Sequence, residues 1–226
     1  MATAVYANPV GAGLRPERID QGVDYGGPGA LYALGAGTIA SVYNSGWPGG
    51  TFIALRLEAG PYAGQYVYYA EDIAPAVAVG DHVTAGQLIG HATGGPSGIE
   101  LGWAAAPGSG NSLASQAGQI AAGLQHGDAG AYSTAYGVAF NDLIKSLGAP
   151  SGILVGPVQG TVPPQFGTVA AAAAAQATAS PSDLLAAALV GAGIPAVMVL
   201  VLFGVVLLAG AVVAAAAVGA AAAARR

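Results

Sequence analysis

Residues 77–90 read VAVGDHVTAGQLIG, and this stretch says most about the fold. Gly80 and Asp81 mark a turn between two short runs of strand-forming residues, and Ala85 with Gly86 marks a second turn. The stretch therefore predicts a region of short β-strands joined by tight turns.

The sequence on both sides continues this pattern. Short runs of strand-forming residues occur at 38–44 (TIASVYN), 51–58 (TFIALRLE), 65–73 (QYVYYAEDI) and 88–90 (LIG). Turn signals rich in glycine separate them, namely YGGPG at 25–29, SGWPGG at 45–50, EAGPYAG at 58–64 and GGPSG at 94–98. Strands of this length and spacing predict a mainly β domain over residues 1–104, built as a small antiparallel β-barrel or sandwich.

Composition narrows the functional class. The 226 residues include no cysteine, which excludes disulfides, thiolate zinc sites and cysteine nucleophiles. Only 8% of the residues are charged and 54% are hydrophobic, which excludes a disordered protein and indicates that part of the chain lies in lipid. The net charge is −5, and all of it comes from residues 1–103. Because no basic patch is available to neutralise phosphates, we predict no binding to nucleic acid.

The C-terminal residues 184–226 predict a transmembrane helix with a short arginine tail. Residues 184–224 contain no charged side chain, and IPAVMVLVLFGVVLLAGAVV at 194–213 has the roughly 20 residues that a helix needs to cross a bilayer. The terminal Arg225 and Arg226 favour a cytoplasmic C-terminus, and hence an N-terminal domain facing the cell envelope. The first residues lack the features of a secretory signal, which fits a tail anchor with the domain inside. We expect a single-pass anchor and favour the envelope-facing orientation.

Two segments connect the β-domain to the anchor. Residues 105–151 predict an appendage with a short helix at 112–125 and an amphipathic helix at 134–150, whose apolar residues recur at close to a 3.6-residue period. The amphipathic helix is expected to dock against the β-domain. Residues 152–183 contain four prolines and the tract AAAAAQATAS, and they predict a linker.

Three further motifs, in order, give the chain a resemblance to a known family. They are DQGVDY at 20–25, YAED at 69–72 and GIELGW at 98–103. With the 77–90 stretch they resemble the lysostaphin-like (LytM-type) zinc peptidases, which have H-x-G-x-D, Y-x-H-L, V-x-x-G-D-x-V and H-x-H-F in this order. The resemblance covers roughly residues 15–104. It implies a LytM-like β fold with its site on these motifs.

The chain departs from that family at the residues that carry the chemistry. The resemblance places the family's zinc ligands, His, Asp and His, at Asp20, Asp24 and Gly102. It places the two acid/base histidines at Glu71 and Glu100. Two carboxylates and a glycine do not make the tetrahedral site that zinc prefers. We therefore predict no zinc site and a non-catalytic domain, with Glu71 and Glu100 as the catalytic candidates if it is an enzyme.

The four carboxylates Asp20, Asp24, Glu71 and Glu100 are expected to face one groove, where mutual repulsion raises some of their pKa values. They are structural, partnered by backbone N–H groups and an arginine; or they bind a hard cation such as Ca²⁺, with Asp20 and Asp24 as ligands; or two of them form an acid/base pair for glycoside cleavage. The candidate arginines are Arg15, Arg18 and Arg56. A divalent cation is the one cofactor that this groove leaves open.

Aromatic residues and histidines are the remaining candidates. Tyrosine and tryptophan suit contacts with sugars and peptides, because each combines an apolar face with a polar group. Trp47, in the loop SGWPGG, is the candidate exposed contact, and Trp103 is assigned to the same binding groove. His82, His91 and His126 do not share a metal-ligand spacing and are expected to be exposed.

The sequence favours a membrane-anchored, non-catalytic, peptidase-like module that binds cell-wall glycan or peptide, or a protein partner. Two alternatives remain open. One is a peptidoglycan hydrolase that uses the carboxylates or a metal, and the other is a structural subunit of a phage virion or an envelope-spanning assembly. The sequence also leaves homo-oligomerisation open.

Overall fold

A computed structural model describes residues 5–44, 46–120 and 132–166, and the fold is given for these residues. They form thirteen short strands and two α-helices. In chain order these are β1 (Arg15–Ile19), β2 (Val23–Gly26), β3 (Pro28–Tyr32), β4 (Gly37–Asn44), β5 (Thr51–Leu57), β6 (Tyr66–Glu71), β7 (Ile73–Pro75), β8 (His82–Val83), β9 (Leu88–Thr93), β10 (Ile99–Ala104), α1 (Leu113–Gln116), β11 (Ser133–Thr134), α2 (Ala135–Ser146), β12 (Ile153–Leu154) and β13 (Val158–Gln159).

Eight of these strands form one large sheet, in the order β12-β1-β2-β10-β6-β5-β4-β8. Neighbouring strands in it are antiparallel, except that β12 runs parallel to β1. Strands β3, β9 and β7 form an antiparallel sheet of three strands, and β11 pairs with β13 in parallel. The described part of the chain is therefore mainly β, as predicted.

The large sheet is open. Its strand order ends at β12 and β8, and no described residue pairs these two edges. A barrel closes only when its edge strands pair. Both edge strands here have two residues, and after β8 the chain passes into the three-stranded sheet. Of the two predicted architectures, the closed barrel is therefore wrong, and the strands lie in separate open sheets.

The 77–90 stretch forms less strand than predicted. Residues 77–79 belong to no strand, and only β8 and the start of β9 lie within the stretch. The turn is held instead by hydrogen bonds to β4, in which Gly80 N donates to Ile39 O (2.8 Å) and Ile39 N donates to Asp81 O (2.9 Å). The Asp81 carboxylate also accepts from Ala78 N at 2.8 Å. Because these bonds fix the turn locally, the residues before Gly80 do not pair as a strand.

One face of the large sheet carries an aromatic core and the acidic residues side by side. Cross-strand pairing aligns Tyr43, Phe52, Ala70, Glu100 and Asp24 in one row from β4 to β2. Residues directly opposite each other on neighbouring strands share a face, so this row lies on one side of the sheet. The row is aromatic at its β4–β5 end and acidic at its β10–β2 end.

The predicted amphipathic helix is α2, and it docks on the β-domain. Thr134 caps its start, since the threonine hydroxyl accepts from Gly137 N at 3.0 Å. Phe140, Leu143 and Ile144 are buried along one side of the helix. The Phe140 ring meets Trp103 of β10 edge-on, with centroids 5.3 Å apart. Helix α1 is shorter than the predicted helix at 112–125, of which residues 121–125 lie outside the described residues.

Residues 153–166 were predicted as part of the linker, and the structure folds them onto the domain. Strand β12 pairs with β1, and β13 pairs with β11. A 3-10 turn at Pro164–Phe166 buries the Phe166 ring 5.0 Å from the Trp103 ring. The proline content signals breaks between short elements but does not exclude pairing, because the edge of β1 offers backbone groups that need partners.

Within the described residues, none of the helices combines the length and the apolar character that a bilayer crossing requires. The predicted anchor at 184–226 lies outside the described residues, and so do His126 and the alanine tract at 171–180.

Candidate functional site

Three neighbouring strands bring three carboxylates together. Asp20 follows β1, Asp24 lies in β2, and Glu100 lies in β10 directly opposite Asp24. One carboxylate oxygen from each residue lies within 4.8 Å of the other two. Asp20 is 4% exposed, Asp24 5% and Glu100 2%. The antiparallel register thus concentrates three acidic groups in a buried cluster, which we call the acidic cluster, rather than along an open groove.

Arg18 supplies the positive charge beside this cluster. Its Nε donates to Asp20 Oδ2 at 3.1 Å and lies 2.6 Å from Asp24 Oδ2. The Arg18 side chain is 37% exposed, whereas those of Asp20 and Asp24 are 6% and 8% exposed. A charge-assisted hydrogen bond of this kind is stronger than a neutral one. Arg18 therefore holds two carboxylates at once and forms the solvent side of the ion pair.

Asp20 also organises the turn between β1 and β2. Its Oδ1 accepts from Gln21 N at 2.6 Å and from Gly22 N at 3.4 Å. The Asp20 backbone oxygen accepts from Thr134 N at 2.9 Å, just before α2. Asp20 therefore has structural partners on both its side chain and its backbone, and its side-chain oxygens are already engaged.

Glu100 is held by a tyrosine that the motif comparison had not singled out. The Tyr68 hydroxyl donates to Glu100 Oε1, and Gln21 Nε2 donates to Glu100 Oε2 at 3.5 Å. Gln21 is itself fixed by the Ser112 hydroxyl, which donates to Gln21 Oε1 at 2.6 Å. This chain of hydrogen bonds links β6, β10, the β1–β2 turn and the N-cap of α1.

Tyr68 also fills the space beside Gly102. A Cβ on Gly102 would lie 2.6 Å from the Tyr68 hydroxyl oxygen and 2.7 Å from the ring carbon that carries it. A Cβ on Gly22 would lie 2.7 Å from Glu100 Oε1. Real Cβ contacts are not this short, so Gly102 and Gly22 leave the room that Tyr68 and Glu100 occupy. The position that the resemblance assigns to the third zinc ligand is thus occupied by a tyrosine side chain.

Burial and mutual repulsion favour the protonated forms of two members of the acidic cluster. Burial, together with repulsion from Asp20, raises the pKa of Asp24 and of Glu100 well above their ordinary values. Asp24 Oδ1 is buried and has no hydrogen-bond partner within the described structure. The single positive charge of Arg18 therefore does not balance the carboxylates of the acidic cluster.

Glu71 lies at the edge of the cluster in an unusual backbone conformation. Its φ of +84° is the one positive φ among the described residues other than glycine, and the residue is 5% exposed. Such a conformation costs about 1–3 kcal/mol in a residue other than glycine. Burial and repulsion from Asp20 raise the pKa of Glu71 to about 8, which Arg18 partly opposes. Glu71 is therefore a carboxyl group that changes charge near neutral pH.

The residues present do not fit the zinc ion that the family resemblance implies. Zinc favours imidazole and thiolate ligands in a tetrahedral site with one position open for water. Asp20 and Asp24 are instead engaged by Arg18, and Gly102 offers no ligand and is packed against Tyr68. We derive no chemistry through a metal at these residues.

The two tryptophans assigned to a binding groove are buried or half-buried. Trp47 is half-buried rather than exposed, because its ring packs 5.2 Å from Tyr68 and its Nε1 donates to Gly110 O at 2.6 Å. Trp103 is 1% exposed and packs against Tyr62, among other rings, at 4.8 Å. Side chains alternate along a strand, so Trp103 faces away from Glu100 of the same strand. Trp103 is therefore a core residue, and Trp47 is a partly buried residue that packs against the core.

The described histidines take no part in the acidic cluster. His82 in β8 and His91 in β9 are both exposed. His82 Nδ1 lies 3.2 Å from the Thr38 hydroxyl.

Two residues of the site were underweighted from sequence. Arg18 is one of three candidate arginines, and none of the motifs singles out Tyr68. A signal for Tyr68 was present, because a glycine inside a strand, here Gly102, often marks the close approach of another group. The register that sets Tyr68 opposite Gly102 was needed to identify that group.

No family model matches this chain, and no curated protein matches it. Solved structures that are similar include a chain of the SpoIIQ–SpoIIIAH pore-forming complex, at 13% identity over 46% of this chain and 84% of that one, with a TM-score of 0.36.

Two further similar structures are peptidase-related. Lysostaphin aligns at 24% identity over 43% of this chain and 45% of its own, with a TM-score of 0.32. A putative M23 peptidase from Pseudomonas aeruginosa aligns at 14% identity over 45% of this chain and 46% of its own, with a TM-score of 0.35. The chain thus spans less than half the length of either. Lysostaphin-like proteins therefore stand among the solved structures to which this chain is similar.

Proposed function

We propose that this chain is a non-catalytic, peptidase-like module that binds a protein partner and is anchored by a single membrane span at 184–226, with the domain facing the cell envelope. The proposal rests on one observation: side chains of the chain itself fill the positions that the resemblance assigns to the zinc ligands. Arg18 Nε lies between the carboxylates of Asp20 and Asp24, and Tyr68 fills the space beside Gly102.

A hydrolytic site needs an accessible volume in which substrate and water meet the catalytic groups. The acidic cluster lacks that volume, because Asp20, Asp24 and Glu100 are each at most 5% exposed. Their oxygens are engaged largely by side chains and backbone of the same domain. These contacts support a structural role in which the face that the resemblance assigns to catalysis holds the domain together.

The open edge of the large sheet supports a protein partner. Strand β12 pairs with β1 on one side only, and Ile153 and Leu154 are 61% and 56% exposed. Val158, just beyond, is 48% exposed. An open edge combines unpaired backbone groups with side-chain contacts, and proteins recognise such edges by adding a strand.

A protein partner is favoured over cell-wall glycan because of where the aromatic residues lie. Sugar recognition would use an exposed aromatic face, and Trp47 was the candidate. Its ring packs on the Phe52–Tyr68 core and its N–H group is satisfied by Gly110. The large hydrophobic side chains that are exposed on the described surface are aliphatic instead.

The first experiment tests the absence of catalysis. The full chain, purified in detergent, is incubated with purified cell wall and with peptidoglycan peptides, and its zinc content is measured by elemental analysis. We expect no cleavage and no stoichiometric zinc. Cleavage that disappears in Glu100→Gln or Asp24→Asn would overturn the proposal.

The second experiment tests the partner edge. A photo-crosslinking amino acid is placed at residue 154 and, as a control, at residue 79, because Val79 is 61% exposed away from this edge. We expect a discrete crosslinked protein from residue 154 alone, and its loss when Ile153→Lys is added. A crosslink of twice the chain's own mass would identify a second copy as the partner. Equal crosslinking from both positions would contradict the proposal.

One observation favours a hydrolase as the second candidate. Glu71 is a buried carboxyl group with a strained backbone and a pKa raised to about 8, which suits a general acid. If Glu71 acts this way, Glu71→Gln abolishes any cleavage of cell wall, whereas Asp72→Asn, at the neighbouring carboxylate, does not.

A further inference from the structure

The acidic cluster has the oxygen ligands of a cation site. One oxygen each from Asp20, Asp24 and Glu100 lies within 4.8 Å of the others, and all three residues are buried. Carboxylate oxygens without imidazole or thiolate suit hard cations such as Ca²⁺ and Mn²⁺ rather than zinc. Acidic residues alone do not make such a site, so further observations have to say what compensates their charge.

The first such observation is an orphaned oxygen. Asp24 Oδ1 is buried without a hydrogen-bond partner in the described structure, and the Asp24 side chain is 8% exposed. A buried carboxylate oxygen without a donor is unfavourable unless a proton or a cation compensates it. The cluster therefore has coordinating capacity that its own hydrogen bonds do not use.

The second observation is the position of Arg18. Its guanidinium is in contact with two of the three carboxylates, at 3.1 Å from Asp20 and 2.6 Å from Asp24. The Arg18 side chain is 37% exposed, far more than the side chains of Asp20 and Asp24 that it contacts. Its guanidinium therefore reaches the carboxylates from the solvent side of the buried strands.

We propose that Arg18 is the resident cation of this site: its guanidinium takes the place of a metal ion, and a hard divalent cation competes with it for Asp20, Asp24 and Glu100. As long as Arg18 is present, the acidic cluster does not hold a divalent cation at millimolar concentration. Without the guanidinium, the same oxygens bind one. This inference deepens the proposed function, because it explains how the peptidase-like site is stable without metal.

The test compares three variants of the full chain in detergent, after dialysis against EDTA. Arg18→Met removes the guanidinium and keeps an unbranched apolar side chain. Arg15→Met is the matched control, since Arg15 lies on the same strand, carries the same charge and is exposed away from the ion pair. Arg18→Met/Asp24→Asn removes one ligand from the freed site.

Thermal unfolding is then followed with and without about 1 mM CaCl₂, a concentration at which weak Ca²⁺ sites are populated. We expect Ca²⁺ to leave the midpoints of wild type and Arg15→Met unchanged and to raise that of Arg18→Met by several degrees, through binding at least about tenfold tighter than in wild type. The double variant should lose this response. MnCl₂ should act as CaCl₂ does.

Three results would overturn the inference. Arg18→Met could respond to Ca²⁺ no more than Arg15→Met, or wild type could bind Ca²⁺ as tightly as Arg18→Met. If Arg18→Met does not fold in EDTA, Ca²⁺ must restore a cooperative transition, and failure to restore it also refutes the inference. Cell-wall cleavage by wild type would refute the proposed function without affecting any of these readouts.

Discussion

Strands β4–β6 and strands β10–β2 share one face of the large sheet, but their buried residues are opposite in character. At the β4–β6 end, Phe52 and Tyr68 stack with centroids 5.7 Å apart, and Trp47 packs on both. At the β10–β2 end, the same row continues with Glu100 and Asp24. Arg18 lies beside Asp24 and offsets part of the negative charge. Tyr68 belongs to both ends, because its ring packs on Phe52 and its hydroxyl donates to Glu100.

The comparison teaches that similar burial rests on different forces. The aromatic end is stabilised by apolar area removed from water, which does not depend on pH. The acidic end contributes only as far as Arg18, hydrogen bonds and protons offset the desolvation of its carboxylates. Substitutions at the two ends should therefore differ in size and in pH dependence.

The largest effect is expected at the aromatic end. Phe52→Ala removes a fully buried ring from the Tyr43–Trp47–Tyr68 cluster, and it should lower the free energy of unfolding by about 3–5 kcal/mol. Urea denaturation of the purified chain measures this. Tyr66→Ala is the control on the same sheet, because Tyr66 is only partly buried. An equal loss in both variants would mean that the cluster is not the core of this face.

The junction between the two ends is expected to be the next most sensitive. Gly102→Ala places a Cβ against the Tyr68 hydroxyl and should cost about 1–3 kcal/mol through overpacking. Gly46→Ala is the matched control, because no atom lies within 4 Å of the Cβ it introduces. Comparing the urea denaturation midpoints of the two variants with that of the wild type measures the difference. A neutral Gly102→Ala would show that Tyr68 does not occupy this space.

The acidic end should depend on pH through Glu71. Its pKa is about 8 in the folded chain, above its ordinary value, so the folded state binds a proton more tightly than the unfolded state does. The contribution of Glu71 to stability is therefore fully present at pH below about 4.5 and is lost as pH rises through about 8. Asp24 and Glu100 act in the same direction, since their pKa values are also raised.

Glu71→Gln mimics the protonated side chain and should flatten this dependence. We expect it to raise the free energy of unfolding at pH 8 by more than about 1.4 kcal/mol, the equivalent of one pKa unit, and to change it little at pH 5. Urea denaturation of both proteins at the two pH values measures the difference. If the free energy of unfolding changes with pH in the same way in both proteins, Glu71 is not the source of the pH dependence.

The smallest effect is expected outside this face, at the sheet edge. Leu154→Ser changes a side chain that is 56% exposed, so it should alter the free energy of unfolding by less than about 0.5 kcal/mol. The same denaturation assay measures it, with Leu143→Ser, at a fully buried position of α2, as the destabilising contrast. A large loss in Leu154→Ser would show that the edge is a stability element rather than a free surface.

Much of the strand pattern could be predicted from sequence. The runs at 38–44, 51–58 and 65–73 correspond to β4, β5 and β6, because alternating apolar residues between glycine turns leave few other local solutions. Helix α2 lies within the predicted 134–150 for a similar reason, since its apolar side is periodic. Strands of two residues, such as β12, have no local signal, because they form only when a neighbouring edge is available.

The candidate site was harder to predict than the fold. Motif order drew attention to Asp20, Asp24, Glu71 and Glu100, but it could not show that Arg18 would lie between two of them. Whether an acidic residue faces solvent, a cation or an arginine depends on groups from other strands. For the same reason Trp47, in a loop that looked exposed, packs on the aromatic core.

The sequence by itself determined the absence of thiol and imidazole chemistry at the motif positions, the strand-and-turn pattern and the amphipathic helix, because these follow from residue type and local periodicity. Only the tertiary structure decided that the sheet stays open, that Tyr68 fills the space beside Gly102, and that Arg18 compensates Asp20 and Asp24. The physical reason is that these outcomes depend on cross-strand register and on burial. Both are set by contacts between residues far apart in the chain, and local sequence does not encode those distances.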